Sequence, residues 1–398
     1  MIFQEIFFKS PSDCCGCGAC VDICPRKVLT MQEDASGFLY PRIINQEGCI
    51  DCKRCLEVCP EKNLLSIKSE FKSFYAGYLK NSDELISCAS GGLATAISKK
   101  FIQNHGVVYG CAYSDDWKTI EYRRVTDILD LEKLKTSKYS QSRKDGIYKR
   151  IMEDLCAGSK VLFIGLPCDV LAVRNSVPTK YHSALYLLEL ICHGPTSPKV
   201  HRQFITELEK KGRVTYFSTR AKKNGAWKPF FIHAKFENGT EHYEEFHKSA
   251  YGAAFRYLKR PSCYTCKIKG NHLAGDLMIG DYHYVEKGMK AYNEHGVSSA
   301  LVHNEKGEKL LTELESTGFY ITEIPKRNAT GNGAITRAIP APEKHEEFER
   351  VFVESGLTTA SKLRFVIGSN IKRSVKAFVM EWAVKIKRVV VPSTRPHD

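Results

Sequence analysis

Two cysteine runs near the start of the chain constrain its fold more than any other feature. Each run has four cysteines at a 2-2-3 spacing, followed at once by Pro25 or Pro60. In this spacing three thiolates hold three irons of one cubane, and the fourth cysteine crosses to the other cluster. The sequence therefore predicts two 4Fe–4S clusters, one held by Cys14, Cys17, Cys20 and Cys59, the other by Cys24, Cys49, Cys52 and Cys55.

Zinc binding is the alternative interpretation of these cysteines. It is disfavoured because zinc sites need four ligands within each unit and rarely repeat this spacing. Cys15 is out of register with its neighbours, so it is not assigned as a ligand. We interpret residues 1–69 as a ferredoxin-type domain of two βαβ halves, closed by strands near 28–31 and 64–67.

Length and composition fit a cytoplasmic protein of two or three domains. Of the 398 residues, 43% are hydrophobic and 26% are charged, as in ordinary globular chains. Sixteen cysteines in a long chain without a signal peptide indicate a reducing compartment. No apolar run reaches the roughly 18 residues of a transmembrane helix. No nucleic-acid-binding motif accompanies the net charge of +14.

Half of that charge lies in the tail, residues 356–398, which has nine Lys or Arg and two Asp or Glu. Apolar residues recur there at helical spacing, at Ile371, Val375, Phe378, Val379, Trp382 and Ile386. Basic residues occupy much of the rest: Lys372, Arg373, Lys376, Lys385, Lys387 and Arg388. The pattern suits an interfacial helix on an anionic membrane or in a partner's groove. It suits equally a helix packed on the body with a basic outer face.

The middle of the chain alternates predicted strands and helices. Ser90, Gly91 and Gly92 form a turn before a helix over 93–103. Such a turn lets backbone N–H groups approach a phosphate at a helix N-terminus, although an ordinary serine cap explains it as well. Strands are predicted at 71–78, 107–113, 161–164 and 186–191, and a further helix at 148–155.

Four cysteines outside the first 69 residues are candidate metal ligands. Cys168 and Cys192 each follow a predicted parallel strand, and ligands bind outside the carboxyl ends of such strands. Cys263 and Cys266 have a metal-type spacing without a second pair in sequence. The four could hold a third 4Fe–4S cluster. Alternatively, Cys263 and Cys266 form a redox dithiol, or are a chance pair, without Cys168 and Cys192. Cys88 is a reserve ligand.

Together these segments resemble the coenzyme F-420 hydrogenase/dehydrogenase beta-subunit family, in the form with an N-terminal ferredoxin domain. The resemblance runs from residue 14 to about 352. Asp169 departs from it, because the family often has Gln there. The matching segments are 88–96, 137–142, 165–169, 192–198, Arg220 with 225–227, 260–266, 274–281 and 296–299.

The resemblance implies a fold class and a domain order. An α+β ferredoxin-like dicluster domain would be followed by a mixed α/β domain that binds flavin and iron–sulfur, over 70–355. Its two parts would cover about 70–180 and 181–355, before the tail.

The resemblance also implies cofactors and their residues. An FAD would be held by Ser90, Gly91, Gly92, Lys138, Tyr139 and Ser142, beside a third cluster on Cys168, Cys192, Cys263 and Cys266. Lys138 would serve as a cation toward the flavin, and His193 is a candidate acid or base, although a structural role for His193 is as plausible.

These expectations define an oxidoreductase that couples hydride transfer at FAD to one-electron transfer through clusters. The two-electron carrier would be reduced deazaflavin or a similar molecule, and a redox partner protein is expected. The alternative is an electron-transfer subunit without its own substrate, and a third possibility is a scaffold that keeps clusters for structure. Bacterial members of the family often resemble accessory proteins of surface-polysaccharide pathways. The expected location is the cytoplasm, with membrane contact through the tail as a possibility.

The crossed ligation gives a first prediction. Cys24→Ser should cost the chain about four irons, from the cluster held by Cys49, Cys52 and Cys55. Iron analysis and electron paramagnetic resonance of the anaerobic protein measure this loss. Cys15→Ser is the matched control and should leave the iron content unchanged. Zinc in place of iron, or damage to the Cys14 cluster alone, would contradict the assignment.

Overall fold

The computed structural model describes residues 10–64, 70–270, 274–312, 314–375 and 379. Its strands are β1 (Leu29–Glu33), β2 (Leu39–Ile43), β3 (Ser73–Leu79), β4 (Val107–Tyr113), β5 (Ile120–Val125), β6 (Val161–Gly165), β7 (Leu185–Leu190), β8 (Val214–Ala221), β9 (Phe231–Phe236), β10 (Glu241–Glu245), β11 (Leu277–Asp281), β12 (Ser298–Val302) and β13 (Phe319–Glu323). Its α-helices are α1 (Ala19–Asp22), α2 (Arg54–Glu57), α3 (Ser82–Ser87), α4 (Leu93–Gln103), α5 (Ile147–Cys156), α6 (Pro167–Ser176), α7 (Pro198–Leu208), α8 (Ala250–Tyr257), α9 (Pro261–Tyr264), α10 (Glu305–Leu311), α11 (Lys326–Ala329) and α12 (His345–Ala360). A helical segment follows at 364–375.

An eight-stranded mixed sheet forms the centre of the structure, in the order β13-β3-β12-β11-β7-β6-β4-β5. The neighbouring strands β4, β6, β7 and β11 are parallel, and the flanking strands pair antiparallel. The carboxyl ends of the four parallel strands therefore meet at one edge of the sheet. Open α/β sheets bind ligands at this edge.

Both faces of the sheet are covered, because successive side chains of a strand point to opposite faces. On β6, Val161 and Phe163 belong to the core that includes α5 and α6, whereas Leu162 belongs to the core formed with α4. For this reason β6 has no polar side chain at any position. Strands buried on both faces read as continuous hydrophobic runs.

The N-terminal segment 10–64 shares its hydrophobic core with the rest of the chain. Phe38 and Tyr40 pack in one core with Phe217 of the smaller β8–β9–β10 sheet and Phe348 of α12. Cys17 packs in the main-sheet core beside α5 and α6. The cysteine loops are thereby held against the body at two places.

Most predicted elements agree with the structure. The helix over 93–103 is α4 and the strand over 107–113 is β4, both with the predicted bounds. The segments at 161–164 and 186–191 are β6 and β7, and their parallel pairing is confirmed. The strand at 71–78 is β3, displaced by one or two residues.

The expected pair of βαβ halves in the N-terminal segment is described only in part. The first strand is β1, and it pairs with β2 as an antiparallel hairpin. Leu64, the first residue of the other predicted strand, is irregular, and residues 65–67 of that strand lie outside the described residues.

The described part of the tail exposes its apolar stripe. Ile371, Val375 and Val379 of the predicted stripe are each about half exposed, as is Ile367 one turn earlier. The other residues of the predicted stripe and its basic flanks lie outside the described residues: Phe378, Trp382, Ile386, Lys376, Lys385, Lys387 and Arg388. Among the helices that the structure describes, none has the length and apolar character needed to cross a membrane.

Candidate functional site

A large cleft lies at the carboxyl edge of the parallel strands. Its volume is about 540 Å³, and its walls include the residues that follow β6, β7 and β11. The sites predicted on separate segments meet here. The cleft is lined by Ser90, Gly92, Lys138, Tyr139, Ser142, Cys168, Cys192, His193, Cys263 and Cys266.

The N-terminus of α4 faces this cleft through Gly92, Leu93 and Ala94. No side chain caps the helix, so its first N–H groups are available to an external acceptor. Gly91 has a packing role, because a Cβ there would lie 2.3 Å from the Gly77 carbonyl oxygen of β3. The turn therefore sits directly on the sheet, with the helix end directed at the cleft.

The loop 136–142 forms another wall. The Lys138 ammonium donates hydrogen bonds to the carbonyl oxygens of Lys135 (2.6 Å), Lys133 (3.2 Å) and Thr136 (3.3 Å). Burial lowers the pKa of Lys138 to about 7. Its charge is therefore sensitive to pH near neutrality, and three of its donor directions already stabilise the loop.

A buried ion pair closes the far side of the cleft. The Arg220 guanidinium donates two hydrogen bonds to the Asp281 carboxylate, at 2.8 and 3.1 Å, and lies 4.4 Å from the centre of the Phe230 ring. Burial would raise the pKa of Asp281, but Arg220 holds it below its usual value. Lys222 supports the neighbouring turn by donating to the carbonyl oxygen of Ser90 at 2.8 Å.

His193 lies in the cleft wall beside two cations. Burial, followed by the charges of Lys259 and Lys269, lowers the pKa of His193 to about 4. The imidazole is therefore neutral at pH 7. It can accept or donate a hydrogen bond there, but it does not carry a positive charge.

Cys168, Cys192, Cys263 and Cys266 lie near one another in the cleft. Burial raises the pKa of Cys192 to about 11, and Cys168 and Cys266 add to this effect. The pKa of Cys263 is also raised, by burial and then by Cys192 and Cys168. The Gly194 N–H donates to the Cys192 sulfur at 3.2 Å, which stabilises a thiolate. Cys88, the reserve ligand, is not grouped with these four cysteines, and its sulfur lies 3.5 Å from the hydroxyl of Thr95.

Within the described residues, no three His, Cys, Asp or Glu side chains converge closely enough for a single metal ion. A cubane spreads its thiolate sulfurs on the order of 6–7 Å apart. The grouping of Cys168, Cys192, Cys263 and Cys266 is therefore to be compared with a cluster site and not with a site for one metal ion.

The N-terminal cysteines form two groups. Cys24, Cys49, Cys52 and Cys55 line one small pocket of about 30 Å³. Cys20 lies deeper, and its pKa is raised by burial and then by Cys17, Cys14 and Cys59. These are the two groupings that the crossed spacing predicts. The assignment of individual ligands stays a prediction.

Cys15 connects the N-terminal segment to the cleft, a position that sequence reasoning missed. Hydrogen bonding with Cys168, and next with Cys17, raises the pKa of its thiol. Cys14 is extended (φ −133°, ψ 117°), and neighbouring side chains of extended backbone point to opposite sides. Two adjacent cysteines, Cys14 and Cys15, were the sequence signal from which this position could have been predicted.

Arg260 fastens the two regions together. Its guanidinium donates to the carbonyl oxygens of Leu39 (2.5 Å) and Cys14 (3.2 Å) and to Gln141 Oε1 (2.9 Å). It also lies 4.2 Å from the centre of the Tyr40 ring, and it is 1% exposed. Gly16 makes room for it, because a Cβ there would lie 2.3 Å from the guanidinium.

Comparisons with known proteins agree with these two regions. Residues 158–327 match the family described as the C terminus of the beta subunit of coenzyme F420 hydrogenase/dehydrogenase. Residues 13–63 match the family described as "4Fe-4S dicluster domain". The resemblance to the beta-subunit family is confirmed. The segments at 88–96 and 137–142 lie before the beta-subunit match.

Two similar proteins give further context. The chain is 28% identical over 255 residues to the coenzyme F420-dependent sulfite reductase of Methanocaldococcus jannaschii, which covers 55% of this chain and 38% of that protein. A solved chain from the F420-reducing NiFe hydrogenase complex of Methanosarcina barkeri has 13% identity and a TM-score of 0.45. That match covers 75% of this chain and 93% of the other.

A second buried ion pair lies close to Cys17 of the N-terminal segment and to Cys168 of the cleft. Lys144 Nζ lies 3.1 Å from Asp169, and both side chains are almost fully buried. Burial by itself would lower the pKa of Lys144. The charge of Asp169, and then that of Cys111, raises this pKa more, so Lys144 stays charged. Asp169 is the position where the family often has Gln, so this ion pair is a feature that the family pattern did not predict.

The Arg260 contacts generate a second prediction. Arg260→Met keeps much of the volume but leaves the Leu39 and Cys14 carbonyl oxygens unpaired. Each buried unsatisfied group costs about 1–3 kcal/mol. We expect the free energy of unfolding of the cluster-free chain to fall by about 3 kcal/mol, measured by urea denaturation.

Arg213→Met is the matched control. Arg213 pairs with Glu237 at the surface, where an ion pair contributes at most about 1 kcal/mol. Equal losses in the two variants would show that Arg260 does not fasten the N-terminal segment.

Proposed function

We propose that the chain is an iron–sulfur flavoprotein oxidoreductase. It couples hydride transfer between FAD and coenzyme F-420, or a similar two-electron carrier, to one-electron transfer through 4Fe–4S clusters. One observation carries the proposal: a single cleft joins an uncapped helix N-terminus to four grouped cysteines, with the dicluster segment fastened beside it.

The residues of the cleft fit an FAD. The free N–H groups of α4 suit a pyrophosphate, and Tyr139, Phe230, Phe246 and Phe255 offer aromatic surface to an isoalloxazine. The Tyr139 ring lies 4.9 Å from Phe246 and 4.6 Å from Phe255, measured between ring centres. When bound, a flavin would supply the exchange between hydride and single electrons.

Particular side chains have distinct proposed roles. Lys138 supplies a pH-dependent positive charge to the cleft, and Ser90, Gly91, Gly92, Tyr139 and Ser142 shape the cofactor site. Neutral His193 positions the reacting partner by hydrogen bonding. The Arg220–Asp281 pair keeps the opposite wall rigid.

A third cluster on Cys168, Cys192, Cys263 and Cys266 would complete the electron path. Support comes from their shared wall and from the contact of Cys15 with both Cys168 and Cys17. The path runs from the cleft, past Cys15, to the Cys14 group and then to the Cys49 group. The proton released by each buried thiol on ligation couples cluster assembly to pH.

An electron-transfer subunit without its own substrate is the second candidate. The observation favouring it is the dicluster match over residues 13–63, because such a domain carries electrons without a substrate site of its own. The match to the sulfite reductase covers 38% of that protein. A separate partner would then carry out the chemistry.

Service to a surface-polysaccharide pathway depends on the family resemblance alone. Contact of the tail with an anionic membrane is supported by exposed Ile371 and Val375.

The proposed chemistry predicts a cofactor content. Purified anaerobically, the chain should hold about twelve irons and one FAD, and reduced deazaflavin should bleach the flavin absorbance before the clusters. Cys263→Ser should lose about four irons and keep the dicluster signal.

Cys156→Ser is the control, because Cys156 is exposed and lies outside the cleft. A chain that keeps its iron but binds no flavin would contradict the flavoprotein proposal. Flavin that neither reduced deazaflavin nor reduced nicotinamide bleaches would exclude both as the donor.

Lys138 gives a pH prediction. With a pKa of about 7, its charge is largely present at pH 6 and largely absent at pH 8. An anionic FAD should therefore bind more tightly at pH 6, by up to about tenfold. Fluorescence titration at pH 6, 7 and 8 measures this change. Lys138→Arg should remove the pH dependence, and Lys138→Met should bind weakly throughout. A wild-type affinity independent of pH would refute the role.

A further inference from the structure

The pocket formed by Cys24, Cys49, Cys52 and Cys55 shares no lining residue with the cleft. Cys52 is exposed, whereas Cys17 of the other N-terminal group is 7% exposed. Cys15 and Cys168 line the cleft, whereas none of Cys24, Cys49, Cys52 and Cys55 does. The Cys49 group is therefore the outermost position of the proposed path.

Two large apolar side chains flank this opening. Ile44 and Ile50 are each 60% exposed. Ile50 lines the pocket, and the Ile44 N–H donates to the carbonyl oxygen of Val28, another pocket residue. Apolar residues scattered singly on a surface are common, whereas exposed apolar side chains grouped in one patch and rimmed by polar residues mark interaction sites.

The rim of the opening is basic. Segments 24–28 and 42–54 contain five Lys or Arg and two Asp or Glu, and Arg26 and Lys53 line the pocket itself. A cubane with four thiolates places a charge of about −2 at the centre. The cations remain in excess on the rim, where a partner's surface would meet them.

We propose that this surface, the isoleucine face (Ile44, Ile50, Arg26, Arg42 and Lys53), docks a small acidic one-electron carrier protein. Acidic side chains of the carrier would meet the basic rim, and its apolar centre would cover the two isoleucines. The inference rests on the proposed function and adds the class of its partner. A weak redox encounter needs less than about 1,200 Å² of buried surface, which suits so small a patch.

The step at this face is a single-electron transfer. The reduced carrier loses one electron and the oxidised cluster on Cys24, Cys49, Cys52 and Cys55 gains it. No bond forms or breaks, and no proton is required. Because electrons also pass in the opposite direction, the face serves either entry or exit.

Stopped-flow mixing of reduced plant-type ferredoxin, an acidic one-electron carrier, with the oxidised full-length chain tests the proposal. In protein that retains its iron, the double variant Ile44→Asp/Ile50→Asp should lower the second-order rate constant at least tenfold. Arg42→Glu should lower it as well and weaken its decrease with added salt. Leu129→Asp, at a position 83% exposed and outside the pocket, should behave as wild type.

Rate constants that are equal in wild type, Ile44→Asp/Ile50→Asp and Arg42→Glu would overturn the proposal. If the double variant loses iron, Arg42→Glu decides alone. The assay uses neither the flavin nor a hydride donor, so its result does not depend on the cleft chemistry. Failure of flavin reduction would count against the proposed function, and failure here would count against the docking face.

Discussion

The buried guanidinium of Arg260 is the contact on which the arrangement of the whole site depends. It reaches the carbonyl oxygens of Cys14 and Leu39 from a position three residues before Cys263. One side chain therefore fixes a cysteine loop of the N-terminal segment relative to a cysteine loop of the cleft. A buried charge is costly unless it is hydrogen-bonded. The two carbonyls and Gln141 accept from the terminal nitrogens of the guanidinium, and the Tyr40 ring packs against it. Among the described residues, Nε has no hydrogen-bond partner.

Shared packing reinforces this contact. Phe38 and Tyr40 contribute to the core beneath the small sheet, and Cys17 contributes to the core of the large one. A flexibly linked ferredoxin module would leave the distance between clusters variable, and electron transfer depends steeply on distance. Here the same side chains that stabilise the fold would also set the proposed path past Cys15.

Sequence reasoning identified the local elements well because their signals are local. Strands buried on both faces appeared as apolar runs at 107–113 and 161–164, and α4 followed directly from its glycine turn. The partners of Arg260 and Asp169 were not predictable in the same way. Arg260 bonds to Cys14 across 246 residues, and no periodicity encodes a contact of that separation. The motifs contained Arg260 and Gln141, but their role emerged only when the chain was folded.

The predicted cluster chemistry and the order of the elements follow from the amino-acid sequence alone. Ligand spacing is a covalent property of the chain, and the alternation of apolar residues is a direct consequence of strand geometry. Folding in three dimensions was needed to establish which cysteine groups face one another, that Cys15 lies between them, and that Lys138 is committed to its own loop. Those outcomes depend on long-range packing and on burial, which sets both the distances between groups and their charges.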